Sequence, residues 1–196
     1  MVEELAIAKS ELILGGQKSG KSRRAELLAR SWLGQSPAHQ AVLIATAQPW
    51  DEEMRERIAR HQTDRAKRVP GLQTVEEPLQ LADALAGLSH PRTLVVVDCL
   101  TLWLTNWLMP AENNDLNADV AQDQQAQAAM FLRAIENAAG PVVLVGNEIG
   151  LGVIPLGRDT RAFVDALGRL NQDVAQVCQR VTFMAAGLPL TLKGRP

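Results

Sequence analysis

Short apolar runs alternate along the chain with longer segments in which apolar residues recur at helical spacing. Continuous apolar runs are typical of strands buried on both faces of a parallel sheet, and they predict strands at 11–14, 41–45, 93–98 and 142–145, where Glu11, Thr93 and Asp98 are the polar end residues. Shorter strand predictions fall at 72–76, 181–187 and 190–192. The helical spacing predicts helices at 23–33, 51–61, 78–88, 100–109, 119–138 and 158–177. Strands that alternate with helices predict one α/β domain over 1–196, a three-layer sandwich around a mainly parallel sheet.

The first apolar run ends in a glycine-rich motif. Residues 15–22 read Gly-Gly-Gln-Lys-Ser-Gly-Lys-Ser, which is the spacing of a phosphate-binding loop, or P-loop, when a strand precedes it and a helix follows. Both flanks meet that condition here. The alternative is a strand-to-helix turn that binds nothing, and the correct flanks argue against it. The sequence therefore predicts a P-loop NTPase-like fold that binds a nucleotide.

Each residue of this loop has an expected task. Backbone N–H groups surround the phosphates, and the residues that supply them are Gly15, Gly16, Gln17, Lys18, Ser19 and Gly20. The ammonium group of Lys21 is expected to reach the β and γ phosphates, and the Ser22 hydroxyl to bind Mg²⁺.

Polar residues follow several of the other strands. Because ligands of an open parallel sheet bind beyond the carboxyl ends of its strands, Thr46, Asn147 and Glu148 are predicted to bind the nucleotide. Asp98 ends the run 93–98 and is predicted to order the Mg²⁺ shell opposite Ser22. Asp98 could equally cap the helix that begins near Leu100, a role compatible with metal binding.

One histidine has a setting that suits covalent chemistry. His61 lies four residues after Arg57 on the predicted helix 51–61, and a neighbouring cation lowers a histidine's pKa and keeps the ring neutral. A neutral imidazole is a nucleophile towards phosphorus. From the residues alone, a surface histidine on a solvated helix is the simpler interpretation.

The composition narrows the class of protein. A content of 46% hydrophobic and 21% charged residues is that of a globular protein, and a formal net charge of −2 argues against a nucleic-acid binder. No apolar run is long enough for a membrane span, and residues 1–10 lack the basic start and apolar core of a secretory signal. Cys99 and Cys178 are isolated in apolar surroundings, which predicts reduced thiols in a cytoplasmic protein.

With these segments placed, the chain resembles the bifunctional adenosylcobinamide kinase/adenosylcobinamide-phosphate guanylyltransferase family of cobalamin biosynthesis over about 12–193. The resemblance rests on Gly-Gly-x-x-Ser-Gly-Lys-Ser-Arg-x-Ala-Glu at 15–26 and Ile-Ala-Thr-Ala-Gln at 44–48. It also rests on Asp-Glu-Glu-Met with Arg-Ile and His at 51–61. The most specific motif is Val-Gly-Asn-Glu-Ile-Gly-Leu-Gly-Val-Ile-Pro at 145–155.

The resemblance implies two reactions on one chain. Adenosylcobinamide is phosphorylated on its aminopropanol hydroxyl, and GMP then passes from GTP to that phosphate, giving adenosylcobinamide-GDP and pyrophosphate. It also implies that His61 carries GMP as a phosphoramidate, that Mg²⁺ and the co-substrates GTP and ATP are used, and that the chain forms a small homo-oligomer such as a trimer. Gln17, Lys18 and Ala47 depart from the usual residues, and 1–10 extends beyond the family start.

Two rival functions use the same loop. A P-loop small-molecule kinase without guanylyltransferase activity would give His61 no essential task. A P-loop NTPase regulatory protein would switch a partner contact, with Trp103 and Trp107 of the apolar stretch 100–109 as its docking surface. Ordinary packing in the core or between subunits is the simpler interpretation of these tryptophans.

Overall fold

A computed structural model describes residues 5–49, 52–109 and 118–195. Its strands are β1 (Ser10–Gly15), β2 (Gln40–Ala45), β3 (Leu72–Glu76), β4 (Thr93–Asp98), β5 (Val142–Val145), β6 (Arg180–Ala185) and β7 (Leu188–Lys193). Its helices are α1 (Lys21–Gln35), α2 (Glu52–Arg68), α3 (Leu81–Leu88), α4 (Leu100–Leu108), α5 (Ala118–Asn137) and α6 (Arg158–Val177). The predicted alternation of strands and helices is confirmed.

The described strands form one seven-stranded sheet in the order β3-β2-β4-β5-β1-β6-β7. All neighbours are parallel except β6 and β7, which form an antiparallel hairpin at one edge. The glycine-rich loop leaves β1, which lies between β5 and β6. In the described part of the chain, no helix is both long and apolar enough to cross a membrane.

Helices cover both faces of the sheet and produce two apolar cores. On one face, Leu28 and Ala29 of α1 pack among buried side chains of the central strands. On the other face, α3, α4, α5 and α6 form the larger core, where Trp103 of α4 contacts Phe131 with ring centroids 5.7 Å apart. Trp103 is fully buried and its indole N–H donates to the Leu79 carbonyl at 2.9 Å, so the packing interpretation is confirmed for this tryptophan.

A buried charge cluster joins β1 to its surroundings. The Glu11 carboxylate accepts hydrogen bonds from Arg24 of α1 at 2.9 Å and from Arg180 of β6 at 3.2 Å. The Thr182 hydroxyl donates to the same carboxylate at 2.8 Å. Because a buried carboxylate is tolerated only when it is paired and hydrogen-bonded, this cluster fixes α1 and β6 relative to β1.

Three segments differ from the sequence prediction. The helix predicted at 51–61 continues to Arg68, where Arg65 is buried and Arg68 pairs with Glu26 of α1. The helix predicted from 78 begins at Leu81, since the Glu77 carboxylate accepts the N–H groups of residues 79 and 80 in a turn before it. Ser10 of the expected extension 1–10 begins β1, and the Ala6 carbonyl accepts from Arg180 at 2.7 Å. Residues 1–4, 50–51, 110–117 and 196 lie outside the described residues.

Both cysteines are buried and free of disulfide bonds, as the sequence predicts. Burial raises the pKa of the Cys99 thiol to about 11, with a smaller contribution in the same direction from the Asp98 carboxylate. Burial likewise raises the pKa of Cys178 to about 12. Both thiols therefore stay protonated near neutral pH.

Candidate active site

The glycine-rich loop is held against the turn between β6 and β7. Gly15 ends β1 with φ 152°, and a Cβ there would lie 2.5 Å from the Met184 carbonyl oxygen. Gly20 precedes α1 with φ 103°, and a Cβ there would lie 3.2 Å from the Gly187 Cα. The Gly187 N–H donates to the Ser19 carbonyl at 2.9 Å. The loop therefore needs glycine at both positions, and the hairpin fixes its shape.

Lys21 is the first residue of α1, and its ammonium group lies across the loop. It is almost fully buried, and Nζ donates to the Gly16 carbonyl and, at 3.4 Å, to the Ser19 hydroxyl. Burial lowers the pKa of Lys21, while the nearby Cys99 and Asp98 side chains act in the opposite direction. The loop, the lysine and the end of β4 are thus brought together as the sequence predicts.

Asp98 ends β4 and lies between the ends of two neighbouring strands, opposite Ala45 of β2 and Val145 of β5. The peptide bond between Asp98 and Cys99 is cis. The capping residue of α4 is Cys99, so the alternative in which Asp98 caps that helix is wrong. The carboxylate lies at the carboxyl edge of the sheet, on the same side as the glycine-rich loop.

Thr46 is fully buried, and its hydroxyl holds the segment after Asp98. Oγ1 donates to the Cys99 carbonyl at 2.7 Å and accepts from the Cys99 N–H at 2.9 Å. The Thr46 N–H also donates to the Asp98 carbonyl at 3.3 Å. This side chain therefore positions the backbone that carries the carboxylate, and a direct contact between Thr46 and a nucleotide stays a prediction.

Asn147 and Glu148 follow β5, and the Glu148 backbone contacts the glycine-rich loop. The Glu148 N–H donates to the Gly15 carbonyl at 3.1 Å, and the Asn147 N–H to the Thr101 hydroxyl at 3.0 Å. Asn171 of α6 donates to the Asn147 carbonyl at 3.0 Å. Both predicted residues are half-buried, and the Glu148 carboxylate accepts from the Gly150 N–H at 3.1 Å. Nucleotide contacts of either side chain stay predictions.

His61 lies within α2, which begins at Glu52, seven residues after β2 ends. The side chains of Arg57 and His61 lie outside the described residues, so their proximity stays a prediction. Two side-chain contacts attach the C-terminal half of α2 to neighbouring elements. Arg68 forms a two-point ion pair with Glu26 of α1, with both N–O distances at 2.7 Å, and Gln62 donates to Glu76 of β3 at 3.1 Å.

The sequence prediction missed the Glu26–Arg68 pair. The hydrogen bond to the Glu26 carboxylate raises the pKa of Arg68 above its usual value. The sequence contained an indication of this pair. Glu26 lies in the buried stripe of α1 with Ala25, Leu28 and Ala29, and a buried carboxylate needs a partner.

A groove of about 480 Å³ lies between the segment 149–155 and α6, directly after Glu148. Apolar side chains of the segment line one wall, while Arg161, Val164, Asp165 and Arg169 belong to the helix wall. The sequence prediction marked 145–155 as specific without assigning this groove. Among the described residues, no group of three or more His, Cys, Asp or Glu side chains is placed to hold a metal ion by itself.

Sequence comparison finds relatives over nearly the whole chain. The family described as cobinamide kinase / cobinamide phosphate guanyltransferase matches residues 11–192. The bifunctional adenosylcobalamin biosynthesis protein CobP of Pseudomonas aeruginosa is 46% identical over 187 residues, which cover 95% of this chain and 98% of that protein. The bifunctional adenosylcobalamin biosynthesis protein CobU of Escherichia coli is 33% identical over 188 residues, covering 93% and 98%.

Structural comparison supports the fold. The flagellar accessory protein FlaH of Methanocaldococcus jannaschii aligns with a TM-score of 0.52 at 11% identity, over 97% of this chain and 80% of that one. A second solved structure, that of an ATPase domain, aligns with a TM-score of 0.52 at 12% identity, over 90% and 69%. Likeness at such low identity concerns the fold alone, and the predicted P-loop NTPase-like fold is confirmed.

Proposed function

The chain belongs to the cobinamide kinase / cobinamide phosphate guanyltransferase family, and from that premise we propose that the glycine-rich loop holds the nucleotide while His61 carries GMP. The chain is a bifunctional enzyme of adenosylcobalamin biosynthesis that phosphorylates adenosylcobinamide and transfers GMP to adenosylcobinamide phosphate. The two rival functions, a kinase without guanylyl transfer and a regulatory NTPase, have no observation in their favour.

The observation that carries the proposal is the loop itself. The backbone of residues 15–20 bends around the Lys21 ammonium group, at the N-terminus of α1. A polyphosphate in this loop meets backbone N–H groups, the positive end of a helix dipole and a buried cation. These groups stabilise the charge that develops when a phosphoryl or nucleotidyl group is transferred.

The oxygen donors beside the loop fit Mg²⁺. Ser22 follows Lys21 on α1 and offers a hydroxyl, and Asp98 offers one carboxylate at the same edge of the sheet. Mg²⁺ is typically held by one or two protein oxygens together with phosphates and waters, so the small donor set suits it. The metal, when bound, would neutralise phosphate charge; Ser22 and Asp98 would hold it, and Thr46 would keep the backbone after Asp98 in place.

His61 is proposed as the nucleophile of guanylyl transfer. A ring nitrogen attacks the α phosphorus of GTP and forms an N–P bond. The bond between the α phosphorus and the oxygen that bridges it to the β phosphorus breaks, and pyrophosphate leaves. A phosphate oxygen of adenosylcobinamide phosphate then attacks the same phosphorus, the N–P bond breaks, and the imidazole is regenerated. In the kinase reaction the cobinamide hydroxyl attacks the γ phosphorus, the nucleoside diphosphate leaves, and the hydroxyl proton is released.

Asn147 and Glu148 contact the nucleotide from the end of β5, and GTP or ATP serves as the kinase donor. The protein works in the cytoplasm, consistent with two buried free thiols, and forms a homo-oligomer such as a trimer.

Labelled GTP tests the His61 step. GTP that carries the label on either its α or its γ phosphate is incubated with Mg²⁺ and with the wild type, His61→Ala or His90→Ala. His90 is the matched control because it is an exposed loop histidine. We expect an acid-labile, base-stable label in the wild type and in His90→Ala, and none in His61→Ala. Label from the γ phosphate instead, or label that persists in His61→Ala, contradicts the proposal.

A further inference from the structure

Large apolar side chains are exposed along the segment 149–156, which we call the apolar segment. Val153 is 96% exposed and Leu156 is 97% exposed, and Ile149, Leu151 and Ile154 are exposed as well. Such a concentration of exposed apolar side chains on a protein surface marks a binding site more often than single apolar residues do.

The apolar segment starts at the nucleotide loop. Its first residue, Ile149, follows Glu148, whose N–H donates to the Gly15 carbonyl at 3.1 Å. At its other end, Arg161 of α6 donates to the Pro155 carbonyl at 3.0 Å and to the Leu156 carbonyl, which ties the segment to the first turn of the helix. A ligand bound along this segment therefore has one end beside the glycine-rich loop.

The groove behind the apolar segment combines apolar and polar walls. Val153, Ile154 and Val164 contribute apolar surface, and Asp165, Arg169 and Gln172 contribute acceptors and donors. A volume of about 480 Å³ is in the range of small-molecule sites but too small for a complete corrin with its side chains. It suits one edge of such a ring.

We propose that the apolar segment and this groove bind the corrin ring of cobinamide and direct its aminopropanol arm to the glycine-rich loop. The inference rests on the proposed function for the identity of the substrate. A corrin has extended apolar faces and a rim of carboxamides, each of which both donates and accepts hydrogen bonds. The apolar segment matches the faces, and the side chains of Asp165, Arg169 and Gln172 match the rim.

Two variants on opposite walls test the site. Val153→Asp puts a charge on the exposed apolar wall. Gly168→Leu fills the groove from α6, where an added Cβ meets no atom within 4 Å. Leu190→Asp is the control, because Leu190 is an exposed leucine of the edge strand β7. Cobinamide binding is measured by equilibrium dialysis through the visible absorbance of the corrin. Light scattering gives the molar mass of the protein in solution. The α-phosphate labelling without cobinamide measures the reaction of the protein with GTP alone.

We expect Val153→Asp and Gly168→Leu to raise the Kd and KM for cobinamide about ten-fold or more, with α labelling and mass unchanged. Leu190→Asp should behave as the wild type. Gly168→Leu should also raise the melting temperature, because leucine favours a helix interior over glycine, so weaker binding cannot come from unfolding.

Unchanged cobinamide affinity in both variants overturns the inference. A change of mass in Val153→Asp without a change of affinity also overturns it, and would make the apolar segment a contact between copies of the chain. A wild type that binds cobinamide but takes up no α label contradicts the role of His61 and leaves the corrin site standing. The two failures are therefore distinguishable.

Discussion

Glu26 and Arg68 form a two-point ion pair that joins the helix after the nucleotide loop to the helix that carries His61, with both N–O distances at 2.7 Å. Glu26 is buried, whereas about a third of the Arg68 side chain is exposed. The pair therefore fixes the C-terminal turn of α2, the helix that contains the proposed nucleophile, against α1.

Removal of this pair should cost stability. We expect Arg68→Ala to lower the free energy of unfolding by about 1–2 kcal/mol, less than for a fully buried pair because solvent screens Arg68. Urea unfolding measures the loss. Arg55→Ala is the matched control: Arg55 pairs with Glu52 on the same helix, but both side chains are largely exposed, so its cost should be within about 0.5 kcal/mol. Equal costs would show that burial of Glu26 is unimportant.

Lys21 should be indispensable and should impose an alkaline limit. Lys21→Met removes the cation from the loop, and we expect the initial rate of α labelling to fall about a hundredfold or more. Because burial lowers the pKa of Lys21 from 10.5, the ammonium charge is lost as pH rises through that lowered pKa. The rate constant kcat/KM for GTP, which reports the free enzyme, should therefore begin to fall below pH 10.5. A profile flat to that pH would contradict this.

Two glycine substitutions should change the stability of the protein in opposite directions. Gly20→Ala forces a side chain into the left-handed conformation at φ 103° and against Gly187, and we expect a loss of about 1–3 kcal/mol together with weaker GTP binding. Gly34→Ala, near the end of α1, meets no atom within 4 Å and should stabilise by up to about 0.5 kcal/mol. Calorimetric melting of both variants checks the signs.

Thr46 should act through its hydroxyl. Thr46→Val keeps the shape but leaves the N–H and carbonyl of Cys99 without this partner, and we expect a loss of about 1–3 kcal/mol. Thr46→Ser retains the hydroxyl and should recover most of that loss. If position 46 serves the metal site through Asp98, Thr46→Val should also need more Mg²⁺ for half-maximal kinase activity. A Thr46→Ser variant as unstable as Thr46→Val would assign the effect to packing.

Local pattern was enough to predict the sheet and the glycine-rich loop. The strands β1, β4 and β5 each contain an uninterrupted apolar run, at 12–14, 94–97 and 142–145, and the spacing of the glycines at 15–22 is specific to a phosphate-binding loop. Contacts between residues distant in sequence were harder to predict, because no local spacing indicates them. Arg68 pairs with Glu26, 42 residues away in sequence, at the end of an α2 that extends beyond the helix predicted at 51–61. Thr46 likewise looks like a ligand residue in sequence, and its contact with Cys99 is visible only in three dimensions.

The position of β1 has a consequence for the order in which the chain is made. This first strand pairs with β5 and β6, and its loop contacts Gly187, so both neighbouring strands and the turn that supports the loop come from the last third of the sequence. During synthesis the nucleotide motif is made before β5 and β6, the two strands that flank it. A nascent chain therefore exposes the Gly-Lys-Ser motif without a shaped site for GTP until both strands have been made.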